Sequence, residues 1–397
     1  MKKIIFVDDE PNILQGLKRM LRPMRHEWEM QFALSAEEAL EAIGDDGIDV
    51  IVSDMRMPKH DGAWLLAQVR EKFPAAARII LSGHAEQEMT IRSVAATHQF
   101  LAKPCDAETL RETVIRTCQL RDMMRSERLQ KVTAEIGQLP SVPEIYQEMN
   151  AEMGKEESSM NEIAKIISRD LGMSAKILQL INSAFFGLRR NVGSIDQAVA
   201  YLGMDVIRAL VLSESAFKAY DKATSAIPVD SLMRKGQLVA AIAKQIAKLE
   251  SDSKVIADEV FQAGMMHELG KLILATELAD EYKAVINRVQ AGESQTDVEL
   301  ECFDVAQGEV GAYLLGLWGL SDGIVEAIAY HRRPSTTELT QFAPIAALHA
   351  AAAFEAELSD RDGPELDEAW LASIGCGEKV EAWREIAQQQ VMQKDAA

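Results

Sequence analysis

Four short, uninterrupted apolar runs constrain this chain most: residues 4–7, 50–52, 79–81 and 100–102. Each has strand length. Continuous apolarity, as opposed to alternation, marks strands buried on both faces of a parallel sheet. A fifth, weaker run covers residues 30–34. Helical stretches lie between them, among them residues 11–21 and 35–43, where Ser35 and Glu38 are spaced as a capping box. Five β/α repeats in the first 120 residues predict a doubly wound α/β domain with a five-stranded parallel sheet.

The pattern changes near residue 135. A mixed-charge, glycine-free stretch starts near Asp106 and runs through Arg121, Arg125, Arg128 and Lys131 to Gly137. It reads as one stiff connector over 121–136 that continues the last helix of the first domain. Leu139-Pro140-Ser141-Val142-Pro143 breaks it. The chain beyond shows almost no strand pattern and reads as amphipathic helices over 143–153, 160–169, 173–183, 238–249 and 260–276. An all-α second domain over 137–337 is expected, with residues 338–397 as a polar helical extension.

The length of 397 residues suits two or three domains. Sixty-two acidic residues against 42 basic ones leave a net charge of −20, which argues against a nucleic-acid binder. Cys105, Cys118, Cys302 and Cys376 form no CxxC pair, as expected of a reducing compartment without structural zinc. The longest apolar run, residues 342–354, holds Pro344 and His349 and is too short to cross a bilayer. Carboxylates at Asp8, Asp9 and Glu10 cut short the N-terminal apolar run, so no signal peptide is expected and the cytoplasm is the expected location.

In an open parallel sheet, function gathers at the carboxyl ends of the strands. Asp8 and Asp9 follow the first run, Asp54 ends the third, Ser82 the fourth, and Lys103 the last. Converging carboxylates repel unless a cation joins them, and hard oxygen ligands suit Mg²⁺. A carboxylate beside that metal can attack phosphorus, while a lysine and a hydroxyl hold the phosphoryl oxygens.

Val7-Asp8-Asp9-Glu10, Ser53-Asp54-Met55-Arg56-Met57-Pro58 with Asp61-Gly62, Leu81-Ser82-Gly83 and Lys103-Pro104 together resemble a response-regulator receiver domain over residues 1–120. The resemblance implies phosphoryl transfer from a sensor histidine kinase to Asp54. It implies Mg²⁺ ligated by Asp9, Asp54 and the Arg56 carbonyl, with Asp8 helping to set the site. Ser82 and Lys103 would bind phosphoryl oxygens, Ser82 and Phe100 would be the switch pair, and Lys103-Pro104 would be cis. His84 reads as a loop histidine near the site mouth.

The segment Ala263-Gly264-Met265-Met266-His267-Glu268-Leu269-Gly270-Lys271 resembles the His-Asp pair of HD-type metal phosphohydrolases. The wider context is similar to their HDOD relatives: Leu139 to Pro143, Leu180-Ile181-Asn182-Ser183-Ala184-Phe185-Phe186-Gly187, Trp318-Gly319-Leu320 and Tyr330-His331-Arg332-Arg333-Pro334. The metal ligands depart from that pattern. Lys235 stands where the first histidine aligns, Glu268 replaces the paired acid, and Gln307 replaces a later histidine; His267 and His331 remain. A catalytic metal needs several converging ligands and an open position for water, so no metal is expected in this HDOD half.

The expected function is a two-component response regulator with a non-catalytic HDOD output acting through another protein. A cyclic-di-GMP turnover enzyme is one candidate partner, another signalling protein a second. Receiver faces and a long connector also suit a homodimer, and neither a nucleic acid nor a membrane is expected as partner. The alternative is a receiver-controlled, metal-dependent phosphohydrolase acting on a cyclic dinucleotide or nucleotide.

Overall fold

The structure, a computed structural model, describes the chain except residues 45–46, 83–95, 125–126, 136–138, 142–147, 150–151, 154, 156–158, 183–191, 193, 213–216, 220–226, 228, 360–362 and 396–397. Five strands, β1 Lys2–Val7, β2 Trp28–Ala33, β3 Val50–Asp54, β4 Ala77–Ser82 and β5 Gln99–Ala102, form one parallel sheet in the order β2-β1-β3-β4-β5. β3 and β4 are buried along their whole length. β2 is an edge strand that leaves Glu29 exposed, which explains its weaker apolar pattern. Helices α1 Pro11–Met20, α2 Ala36–Ile43 and α3 Gly62–Lys72 flank the sheet. The Ser35 hydroxyl accepts from Glu38 N–H at 3.1 Å, and Glu38 reaches back to Leu34 N–H at 2.6 Å, so a capping pair starts α2.

The expected single connector is two helices. α4 Ala107–Met123 stops at Met124, whose backbone is extended, and α5 Glu127–Glu135 follows. Gln130 turns its amide back onto the Arg121 and Met124 carbonyls, 2.9 and 2.6 Å away, satisfying acceptors that a continuous helix would have used itself.

The second half is helical, as expected, with one addition. Leu139–Ser141 (β6) pairs in parallel with Phe217–Ala219 (β7), strands too short to show a periodic pattern. The helices that follow β6 are α6 Met160–Ile167, α7 Leu171–Asn182, α8 Ile195–Leu212, α9 Val229–Glu250, α10 Lys254–Met266, α11 Leu269–Glu277, α12 Ala279–Gln290, α13 Gln295–Phe303, α14 Gln307–Leu317 and α15 Asp322–Tyr330. The stretch 260–276, read as one helix, breaks at His267 and Glu268, between α10 and α11. Most of the helix expected over 143–153 lies outside the described residues, as do Val142-Pro143 and Ser183 to Gly187 of the motifs above.

The polar extension is a correction as well. In α16 Pro344–Ser359, residues 345–356 are buried, packed against α9, α10 and α15. Alanine lets helices approach closely without exposing polar surface, so an Ala-rich stretch serves as core. His349 ties the segment in: Nδ1–H donates to the His331 carbonyl at 2.7 Å, and Nε2 accepts from Asp367 N–H at 2.8 Å. Two further helices, α17 Glu368–Ser373 and α18 Val380–Asp395, follow, with Trp383 fully buried. No described helix is long and apolar enough to cross a membrane.

Glycine permits the tightest helix crossing. A Cβ on Gly270 in α11 would lie 1.8 Å from the Gln307 carbonyl oxygen of α14. Gly270→Ala is therefore expected to lower unfolding stability by about 2–3 kcal/mol. Gly16→Ala, in the interior of α1 with no atom beyond its own helix backbone within 4 Å of the new Cβ, is expected to raise it by about 0.5–1 kcal/mol. Urea denaturation followed by circular dichroism separates the two signs.

Candidate functional site

The carboxyl ends of β1, β3, β4 and β5 meet at one edge of the sheet. Parallel register keeps them level: Val7 pairs with Ser53, Asp54 with Leu81, and Ser82 with Ala102. Lys103, just past β5, places Nζ 2.9 Å from Asp8 Oδ2 and 2.7 Å from Asp54 Oδ1. Asp8, Asp9 and Asp54 each bring a carboxylate oxygen within 4.8 Å of the others, and among the described residues no other set of three His, Cys or acidic side chains does so. Glu10 N–H donates to Asp8 Oδ1 at 2.9 Å, which holds Asp8 from its second oxygen. Burial raises the Asp54 pKa, and Asp8 adds to the rise; the hydrogen bond and charge of Lys103 oppose it. Burial by itself lowers the Lys103 pKa, but its bonds to Asp54 and Asp8 outweigh that and leave it raised.

The loop after β3 shapes the mouth. Asp61 caps α3 by accepting from Trp64 N–H at 2.7 Å, and the His60 ring stacks on Trp64 with centroids 3.8 Å apart. Gly62 is demanded by contact, since a Cβ there would meet the Asp54 carbonyl oxygen at 2.2 Å. Arg56 is exposed beside buried Met55. Ser82 and Phe100 are fully buried, on β4 and β5, and Lys103-Pro104 is cis. His84 lies outside the described residues.

In the helical half, Lys235, His267, Glu268 and His331 come together and are buried. Lys235 Nζ donates to Glu268 Oε1 at 2.7 Å, and His267 Nε2 is 3.4 Å from the same oxygen. His267 Nδ1–H donates to the Gly264 carbonyl at 2.6 Å and His331 Nδ1–H to that of Ile328 at 2.8 Å, which leaves the lone pair of the His331 ring on Nε2. The two rings meet edge to face, 5.4 Å apart. Gln307 sits against the start of α11, its Oε1 accepting from Lys271 N–H at 3.2 Å. Burial pushes Glu268 up, yet Lys235, Lys271 and His267 together hold its carboxyl well below the usual range. Burial, with His267 and Arg332, holds His331 well below the usual histidine value.

The N-terminal unit matches the response regulator receiver domain over residues 4–115, and the helical half matches the HDOD domain over 139–334. The chain is a receiver domain followed by an HDOD domain. Among curated proteins, the hydrogenase transcriptional regulatory protein HoxA of Bradyrhizobium diazoefficiens is 34% identical over 136 residues, covering 34% of this chain and 26% of that protein. An uncharacterized protein of Treponema pallidum is 24% identical over 202 residues, covering 50% of this chain and 39% of that protein. The chain thus spans well under half the length of either. The MmoQ response regulator of Methylococcus capsulatus is similar in structure, at 22% identity and a TM-score of 0.48, over 62% of this chain and 97% of that one. The receiver–HDOD pairing supports a response regulator of a two-component system.

Sequence reasoning missed the residues where the receiver touches the connector. Arg78 on β4 and His98 just before β5 are buried, and both reach the Ala134 carbonyl at the end of α5, at 2.6 and 3.1 Å. An arginine inside an otherwise apolar strand, with a histidine two residues before Phe100, was the available signal.

Because Lys103 lowers and Asp8 raises the Asp54 pKa, the two partners are expected to act oppositely. Lys103→Met moves the Asp54 titration to higher pH, and Asp8→Asn moves it to lower pH. Carboxyl-carbon NMR titration in Mg²⁺-free buffer reads both.

Proposed function

We propose that the chain is a response regulator whose receiver accepts a phosphoryl group on Asp54 from a sensor histidine kinase in the cytoplasm, with a non-catalytic HDOD output. The observation that carries the reading is the Lys103 ammonium on Asp8 and Asp54 together, with Asp9 beside them. The three carboxylates fit a hard divalent cation, and Asp8, Asp9, Asp54 and the Arg56 carbonyl would hold Mg²⁺. That ion, when bound, supplies positive charge beside the transferring phosphoryl group.

The chain's own groups do the rest. An Asp54 carboxylate oxygen attacks phosphorus, the phosphorus–nitrogen bond of the kinase's phosphohistidine breaks, and an acyl phosphate forms. Lys103 stands next to the nucleophile, where its ammonium can pass from the carboxylate to a phosphoryl oxygen. Ser82, at the end of the neighbouring strand, would donate its hydroxyl to another. Small-molecule phosphodonor labelling of the full chain is expected to place one acyl phosphate on Asp54 and to fall to background in Asp54→Asn. Persistent labelling of that variant would defeat the reading.

For the HDOD half, the Lys235–Glu268 pair supports a non-catalytic role. The ammonium supplies in place the positive charge that a metal would otherwise bring to the acid. The output is then the binding of a partner protein, with a cyclic-di-GMP turnover enzyme or another signalling protein as candidates. A metal-dependent phosphohydrolase is favoured by one feature, the buried Nε2 lone pair of His331, which has no hydrogen-bond partner. Two measurements separate the readings. The purified full chain is expected to hold no stoichiometric Fe, Mn or Zn and to leave cyclic dinucleotides intact; one bound equivalent with turnover would overturn the non-catalytic reading. Lys235→Ala strands a buried carboxylate and is expected to cost about 3–5 kcal/mol in urea unfolding, while Lys235→Met with Glu268→Met recovers most of it.

A further inference from the structure

One stretch of this acidic chain carries no acid. Between Glu10 and Glu27 stand Lys18, Arg19, Arg22, Arg25 and His26 without a single carboxylate. Lys18 and Arg19 close α1, where the negative end of the helix favours cations. Arg22 and Arg25 lie past that end, in a short 3-10 helix over Arg22–His26. Side chains three apart eclipse in such a helix. Leu21 and Met24 therefore form one row, which is buried, and Arg22 and Arg25 form the next, which is exposed. Lys18, Arg19 and His26 are exposed beside them.

Elsewhere Arg128 meets Glu281, Arg169 meets Glu148, Arg288 meets Glu293 and Arg384 meets Glu357. Lys18, Arg19, Arg22 and Arg25 pair with no carboxylate among the described residues. What they touch is no counterion: Lys18 Nζ lies 5.9 Å from the centre of the Phe32 ring, and Arg25 Nε–H donates to His26 Nε2 at 3.2 Å. The patch also stands away from the acidic site. α1 leaves from the carboxyl end of β1 and runs back, and the 3-10 helix leads into β2, whose first residue, Trp28, pairs with Lys2 at the start of β1. Arg22 and Arg25 are therefore at the amino ends of the strands, and Asp54 is at the carboxyl end of β3.

Four neighbouring cations repel one another, and an anionic partner relieves that repulsion. Exposed Glu27 and Glu29 border the patch and keep it small, on a chain whose net charge is −20. A nucleic-acid duplex or an anionic membrane reaches past such a patch, and the surrounding acids repel it within a screening length of about 8 Å. A short acidic segment meets the patch alone, and each guanidinium can fork onto a carboxylate. We propose that the surface from Lys18 to His26 docks an acidic segment of a partner protein, its carboxylates taken by Arg22 and Arg25 with Lys18 and Arg19 beside them. The docking site stands independently of the phosphoacceptor reading, and a partner there leaves the Asp54 edge open.

Titration of the full chain into a dye-labelled oligoglutamate peptide at low salt, read by fluorescence anisotropy, tests it. One peptide is expected to bind per chain, with an affinity that falls as salt is added. Arg22→Glu with Arg25→Glu is expected to weaken binding about tenfold, the scale of two exposed ion pairs turned into repulsions. Arg22→Gln with Arg25→Gln, which removes charge without reversing it, is expected to weaken binding less. Arg288→Glu, at a cation already paired with Glu293, is expected to leave the affinity unchanged. Absence of saturable binding to the parent chain overturns the proposal, as does an equal loss in Arg288→Glu and in the Arg22 and Arg25 variants. Tighter binding of a duplex oligonucleotide or of phosphatidylserine vesicles through Arg22 and Arg25 overturns it as well, because the occupant is then another polyanion.

Discussion

A carboxylate taken out of water needs a cation beside it or a reason to be neutral, and each half of this chain meets that demand with a lysine. In the receiver, Lys103 bridges Asp8 and Asp54 from a position still 27% exposed. Its ammonium is a counterion within reach of water and of a further partner. In the HDOD half, Lys235 meets Glu268 in a pocket where neither side chain is more than 8% exposed, and that ion pair is closed to exchange. Glu299 takes the other course. It is bonded to Tyr282 Oη, Gln295 Nε2 and Gln307 N–H, and burial raises its pKa. The two lysines thus differ in exposure, one open to solvent and one closed.

The receiver is legible in the sequence because its strands are buried on both faces and its reactive groups fall at strand ends. Each of Asp8, Asp54, Ser82 and Lys103 follows an apolar run, and parallel register alone brings them level. The helical half is legible as helical but not in its joints. The break between His267 and Glu268 falls inside an unbroken amphipathic pattern, because tertiary packing and not propensity decides it. Met124 ends α4 for the same kind of reason: Gln130 satisfies the released carbonyls, which a mixed-charge stretch does not announce. The Ala-rich α16 looks like a tail because alanine is indifferent to burial. Gln99 and Arg116 look like solvated receiver residues, since their partners Gly316 and Leu320 lie some two hundred positions away.

What joins the halves is packing in place of a rod. Arg78, buried on β4, donates to the carbonyls of Pro74, Ala76, Ala96 and Ala134 at 2.6–3.0 Å, so one guanidinium ties the strand to its own loops and to the last turn of α5. His98 supports it. Its Nδ1 accepts from Arg78 N–H at 3.1 Å, which leaves the proton on Nε2 to donate to Ala134. The same residue's carbonyl accepts from Gln179 of α7 at 3.2 Å. Cutting the connector into α4 and α5 therefore costs no coupling. A straight helix could pass only a tilt or a twist along its axis, whereas the folded-back pair lets β4 touch α5 through Arg78 and β5 touch the HDOD half through Gln99. Both strands end at the edge where Asp8, Asp54 and Lys103 meet, β4 at Ser82 and β5 before Lys103, while Arg78 and Gln99 near their other ends make the contacts with α5 and the HDOD half.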